Sequence, residues 1–237
     1  DLHSFPTRRS SDLPDGGFGS KNIAQGWLDL VALLGADNAP RPAQIDTTPY
    51  PLEATRKPVI VIHAGGGDYS QARRWKPERF ATVADGLSTK LGAQIILVGG
   101  GNDDISAVKA AMQHEAIDLS NKTTMAELSG VIGAADLYIG TDSGVTHVAG
   151  ASGTPILAIF GPSNHQAWGP WSPDGQVEIV RSGVLCSPCS YVGHSVGLRD
   201  GCPARTCMKL VTPQQVIDRA IALLESNTTQ APKPADK

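Results

Sequence analysis

The chain has 237 residues, 41% hydrophobic and 18% charged, enough to bury one good core and part of a second. Its formal net charge is −3, so no global basic field speaks for a nucleic-acid partner. No uninterrupted apolar run reaches the roughly 18–20 residues that a bilayer span requires.

The opening segment, His3 to Leu13, is polar and basic, lacks helical or strand period, and has no apolar stretch of a secretion signal. It reads as the translation of a common sequencing adapter, so residues 1–13 are expected to be a non-native scar on an incomplete chain. Residues 14–56 read as the remnant of a preceding domain and a linker. Ile23 to Gly35 has helical spacing with a glycine stop, and Pro40, Pro42, Pro49, Pro51 and Pro58 then break a stretch with almost no apolar pattern.

From Lys57 to Glu225 the pattern sharpens into repeated strand–helix units. Val59-Ile60-Val61-Ile62-His63-Ala64 is a β-branched strand that ends on Gly65-Gly66-Gly67, and Glu78 to Leu91 is an amphipathic helix. The next strand is Gln94 to Val98, ending in glycines 99–101, followed by a helix from Asp103 to Gln113. Ala116 to Leu119 is a short strand, and Thr124 with Glu127 three residues on has capping-box spacing for a helix to Ala134. Ala135 to Gly140 and Thr154 to Gly161 are two more buried strands, with a short helix opened by His147 to Ala151 between them. Thr212, Pro213 and Gln215 supply an N-cap, first-position proline and capping-box partner for a last helix to Glu225, before a polar tail at 226–237. Five such strands alternating with helices predict an α/β fold built on a doubly wound parallel sheet.

Ligands of such sheets bind outside the strands' carboxyl ends, near a switch in strand order. Four loops are expected there: Gly65 to Gly67, Gly99 to Asp104, Ser120 to Thr124, and Thr141 to His147. The last is the most telling. A polar, glycine-containing turn between a parallel strand and a helix aims backbone N–H groups and a positive dipole end at a phosphate. The cluster Arg73-Arg74-Trp75-Lys76-Pro77-Glu78-Arg79 reads either as a solvated helix start or as a local anion site. No G-x-G-x-x-G follows any predicted strand, which ranks a nicotinamide-dependent oxidoreductase well below a nucleotide-diphosphate binder. Cys186 and Cys189, then Cys202 and Cys207, have spacings that suit a tetrahedral zinc loop, two disulfides or four reduced thiols.

The stretch from Val59 to Leu224 resembles the C-terminal, nucleotide-sugar-binding half of glycosyltransferase family 9, the lipopolysaccharide heptosyltransferases. The resemblance is carried by His63-Ala64-Gly65-Gly66, Arg73-Arg74-Trp75, Leu97-Val98-Gly99-Gly100 and Asp142-Ser143-Gly144-Val145-Thr146-His147. Phe160-Gly161-Pro162-Ser163 and Trp168-Gly169-Pro170 complete it. It implies a Rossmann-like domain of a GT-B enzyme, residues 57–225, holding an ADP-heptose donor without a metal cofactor. Gly65 and Gly66 fall where the family contacts the diphosphate, and Arg73 where it carries a lysine. Asp103 matches the acidic ribose ligand, Thr123 the adenine contact, and Asp142, Ser143, Gly144 and His147 the donor block. The resemblance also implies a general base outside this chain, a lipid-linked saccharide acceptor, and a cytoplasmic location with peripheral contact at the inner membrane.

Overall fold

The computed structural model describes residues 20–52, 54–66, 70–101, 103–189 and 202–230, with side chains to 227; the adapter-like segment lies outside them. Six strands form one sheet: β1 (Val59–His63), β2 (Gln94–Val98), β3 (Ile117–Asp118), β4 (Leu137–Thr141), β5 (Ile156–Ile159) and β6 (Val177–Val180). The order is β3-β2-β1-β4-β5-β6, and every pair is parallel. β1 therefore lies between β2 and β4, and the switch point falls at the carboxyl ends of β1 and β4.

Side-chain alternation along the strands divides the core into two layers. Ile60, Ile62, Ile95, Leu97, Leu137 and Ile139 face one cluster, with Phe80, Val83 and Leu87 of α2 (Pro77–Leu91), Val108 of α3 (Ile105–Ala111) and Val216, Ile217 and Ala220 of α8 (Pro213–Gln230). Val59, Val61, Ile96, Val98 and Tyr138 face the other, with Leu128, Val131 and Ile132 of α4 (Met125–Gly133) and Ala149 of α5 (Gly144–Ala151). Burial on both faces is why these strands are mainly apolar instead of alternating with polar residues.

The helix signals act where the sequence places them. Pro77 opens α2 and Gly92 ends it at φ 64°. Thr124 and Glu127 form a reciprocal capping box on α4, and Thr212 with Gln215 does the same before α8. Five elements differ from expectation, and two of them are the short helices α6 (His165–Trp168) and α7 (Thr206–Lys209), which the pattern did not announce. β6 was not anticipated: its four residues follow a turn at Asp174-Gly175 and, at the sheet edge, three of them are only half-buried. α5 begins at Gly144, three residues earlier than the sequence suggested, so the turn after β4 is only Asp142-Ser143. α8 runs on to Gln230, past the expected start of the tail.

The proline-rich stretch ahead of β1 follows α1 (Ile23–Ala32) and lies along α4. Thr48 N–H donates to Ala126 O at 3.0 Å, and Thr47 Oγ1 meets Ser129 Oγ at 3.1 Å. Gly130 is glycine for this strap, because a Cβ there would overlap Thr48 O. Tyr50 and Leu52 pack on the α4 layer. α1 buries no residue, and Trp27 (61% exposed), Leu33 (81%) and Leu34 (89%) stand out from it. No described helix is long and apolar enough to cross a membrane.

Candidate nucleotide-diphosphate site

The four loops follow β1, β2, β3 and β4 and are tied to one another at the carboxyl rim. Thr141 Oγ1, at the end of β4, donates to Gly65 O after β1. Asp104 N–H reaches Ala64 O at 3.2 Å, and Asn121 N–H reaches Gly99 O at 2.9 Å. Asn121 sits at φ 57° and Gly101 at φ 55°, and the asparagine's Oδ1 accepts Gly101 N–H at 3.0 Å. Thr123 lies half-buried in this third loop.

A 3₁₀ turn, Gln71–Arg73, capped by Ser70, brings two arginines over the rim. Arg73 donates to Asp142 Oδ2 at 3.1 Å, with side chains only 19% and 7% exposed. Arg74 pairs with Asp104 Oδ2 at 3.1 Å. Carboxylates thus fix the direction of both arginines. Trp75 behind them is buried and donates to Val211 O at 3.2 Å.

After β4, Asp142 and Ser143 are buried, while Gly144 opens to solvent with nothing within 4 Å of where a Cβ would lie. Close backbone approach by a phosphate is sterically allowed at Gly144. Ser143 precedes α5 but makes no side-chain cap; its Oγ turns to His63 Nδ1 at 3.3 Å. His147 lies one helical turn along, at the surface. Partial burial of its ring lowers its pKa, an effect that Asp142 opposes and Arg73 reinforces.

Two expected roles come out differently in geometry. Gly65 was read as making room for phosphate, yet a Cβ there would overlap the Asp103 carboxylate and approach His63 Nε2. Its missing side chain makes room for protein. Asp103, expected to face a ribose, turns inward: Oδ2 accepts from His63 Nε2 at 3.0 Å and from Gly100 N–H at 3.0 Å. Sequence reasoning also passed over the buried polar partners His63, Thr146 and Tyr138. The available signal was a histidine closing a wholly apolar strand.

Burial alone would raise the Asp103 pKa, but hydrogen bonds from His63 and Gly100, with the charges of His63 and Arg74, hold it below the ordinary 3.8. A carboxylate depressed in the folded state stabilises the fold above its unfolded pKa, and that contribution fades as pH falls through the folded value. Asp103→Asn is therefore expected to flatten the acid limb of the stability profile below about pH 4 in urea titrations, leaving the limb above pH 6 parallel to wild type. An unchanged acid limb would contradict the assigned network.

Two grooves, of 690 and 500 Å3, lie at the opposite, amino end of the strands. The larger is lined by Pro58, Pro155 and Leu224 together with the Lys57–Asp136 pair, Glu225 and Asn227. Neither gathers the glycines, arginines and helix start that converge at the carboxyl rim.

The four cysteines are free thiols. Burial raises the pKa of Cys189 and Cys207, and the neighbouring cysteines raise both further. Among the described residues, no three His, Cys, Asp or Glu side chains are gathered closely enough to hold a metal ion.

The sequence profile of glycosyltransferase family 9 (heptosyltransferase) matches residues 32–197, well over half of the chain. Lipopolysaccharide heptosyltransferase 3 of Escherichia coli is 30% identical over 165 residues, covering 64% of this chain and 48% of that protein. A family 9 glycosyltransferase structure from Veillonella parvula has the same fold, with TM-score 0.69 at 24% identity over 87% of this chain and 60% of that one. So has TibC of enterotoxigenic E. coli, an iron-containing heptosyltransferase solved with ADP-D-β-D-heptose, with TM-score 0.63 at 20% identity over 94% of this chain and 59% of that one. The chain spans about half the length of the curated relatives it matches.

Proposed function

Because the chain belongs to glycosyltransferase family 9, the heptosyltransferases, we propose that it is the donor-holding half of an inverting glycosyltransferase that takes an ADP-heptose at its carboxyl rim. One observation carries this: loops distant in sequence meet at the switch point around an arginine, Arg73, held by Asp142 beside the start of α5.

In the reaction, an acceptor hydroxyl oxygen forms a bond to the anomeric carbon on the face opposite the diphosphate. The bond from that carbon to the β-phosphate oxygen breaks, and ADP leaves with the electron pair. Arg73 and the first N–H groups of α5 stabilise the charge that grows on the leaving diphosphate. Gly66 and Gly144 let the phosphates approach the backbone, Thr123 borders the adenine, and His147 orients the phosphates. The base that takes the acceptor's proton belongs to the other half of the protein, so none is assigned here. In this proposal the acceptor is a lipopolysaccharide core saccharide met at the cytoplasmic face of the inner membrane; the name of the E. coli relative supports the lipopolysaccharide part alone.

By itself this chain is expected to bind ADP without turnover, and to prefer it clearly over NAD in calorimetric titration. A preference for NAD would end the transferase reading. The cysteine loop takes no part in the proposed chemistry, so chelator-washed protein should bind ADP as untreated protein does. If washing abolishes binding, the loop belongs to the site; zinc measured in the unwashed sample would assign that loop a structural metal.

A further inference from the structure

We propose that His63 is a positioning residue of the donor site, and that Asp103 serves the nucleotide through His63 and not by touching the ribose. The inference rests on the donor reading above. It begins from a buried ring, 2% exposed, that closes β1 and spans two loops. Nε2 lies 3.0 Å from Asp103 Oδ2 in the loop after β2, and Nδ1 lies 3.3 Å from Ser143 Oγ in the turn after β4.

Counting protons constrains the direction of these bonds. An ionised Asp103 only accepts, so the ring nitrogen that faces it carries a proton and donates it there. Ser143 Oγ has two inward partners, Nδ1 and Thr146 Oγ1, each at 3.3 Å. Thr146 spends its own proton on Thr141 O and accepts at 3.1 Å from Tyr138 OH, so it cannot donate to Ser143. The single proton of Ser143 thus points inward, leaving its oxygen an acceptor toward the rim. Such an oxygen suits a hydroxyl of the bound nucleotide and repels a phosphate oxygen. The diphosphate is left to the backbone at Gly144 and to Arg73.

The surroundings of Asp103 agree. Its Oδ2 also accepts Gly100 N–H at 3.0 Å, and a Cβ on Gly99 would lie 3.1 Å from that oxygen. A Cβ on Gly65 would overlap the carboxylate itself. The glycine at 65 thus gives space to the His63–Asp103 pair, and the carboxylate, its side chain 12% exposed, spends Oδ2 on two donors of the protein.

The test is calorimetric titration of the whole chain with ADP, 2′-deoxy-ADP and 3′-deoxy-ADP. If Asp103 acts through His63, Asp103→Asn weakens all three nucleotides by one common factor of about tenfold, the scale of a lost charge-assisted hydrogen bond. His63→Ala does the same, and His63→Gln, whose amide can both donate and accept, recovers most of the loss. The double variant His63→Ala/Ser143→Ala binds no more weakly than the weaker single variant. Loss in Asp103→Asn of only the advantage of ADP over a deoxy nucleotide would return Asp103 to the ribose. Fully additive losses, or wild-type affinity in the variants, would equally overturn the proposal. Circular dichroism checks folding, and where His63→Ala fails to fold, Asp103→Asn and His63→Gln decide. A wild-type chain that ignores ADP would sink the donor reading and this inference together, whereas binding with unaffected variants sinks only the inference.

Discussion

Replacing Arg73 with alanine is expected to weaken ADP binding by about a hundredfold. A hydrogen bond to a charged group contributes about 1.5–3 kcal/mol, and each 1.4 kcal/mol is tenfold in affinity. Two effects combine. The diphosphate loses its arginine, and Asp142, only 7% exposed, is left as a buried anion beside the incoming phosphates. Arg73→Lys should recover part of the loss, since it restores the charge without the guanidinium's fixed fork. Adding Asp142→Asn to Arg73→Ala should also recover part, by removing the orphaned charge. Calorimetry reads all three, and an Arg73→Ala protein within threefold of wild type would remove the arginine from the site.

Truncating Phe80 to alanine is expected to cost about 3–5 kcal/mol of folding stability, a large share of the roughly 5–15 kcal/mol a domain of this kind possesses. Phe80 is fully buried and meets Trp75 edge-on, with ring centroids 5.0 Å apart and planes at 86°. Trp75 in turn hydrogen-bonds Val211 O, and Arg79 lies 5.8 Å from the Trp75 ring while donating to Lys209 O at 2.7 Å. These residues clasp the start of α2 to the chain that leads into α8. The clasp lies directly behind Arg73 and Arg74, so loosening it frees the arginines that the rim needs. Urea denaturation should show the loss of stability, and ADP affinity of the folded fraction should fall as well. A cost below about 1 kcal/mol would mean that the layer repacks around the gap, contrary to the clasp.

How much of this was legible in the residues differs by element. The strand at Val59–His63 could be read at once because four β-branched residues in succession fit a strand buried on both faces. β6 escaped because an edge strand of four residues, half-exposed and beside glycine, has too little pattern to separate it from a loop. The early start of α5 was hidden because Gly144, Val145 and Thr146 are weak helix formers. The proline-rich stretch before β1 reads as a loose linker, yet it docks along α4 through backbone and hydroxyl contacts that composition does not encode. The loops that meet at the carboxyl rim were legible by type, glycine and acid at strand ends. The faces those residues present were not: Gly65 and Asp103 look inward.

What the residues alone determined is the local part: parallel strands from their unbroken apolar runs, helix ends from Thr124, Pro77 and Thr212, and phosphate-ready turns from glycine placement. Only the tertiary structure decided the strand order, the meeting of the loops at one switch point, and the chain from Ser143 through His63 to Asp103. The reason is range. Periodicity and capping act over a few residues and leave a mark in the sequence, whereas His63 meets a partner 40 residues away and another 80 away. Which lone pair faces a ligand follows from such contacts, and these exist only once the sheet has set its order.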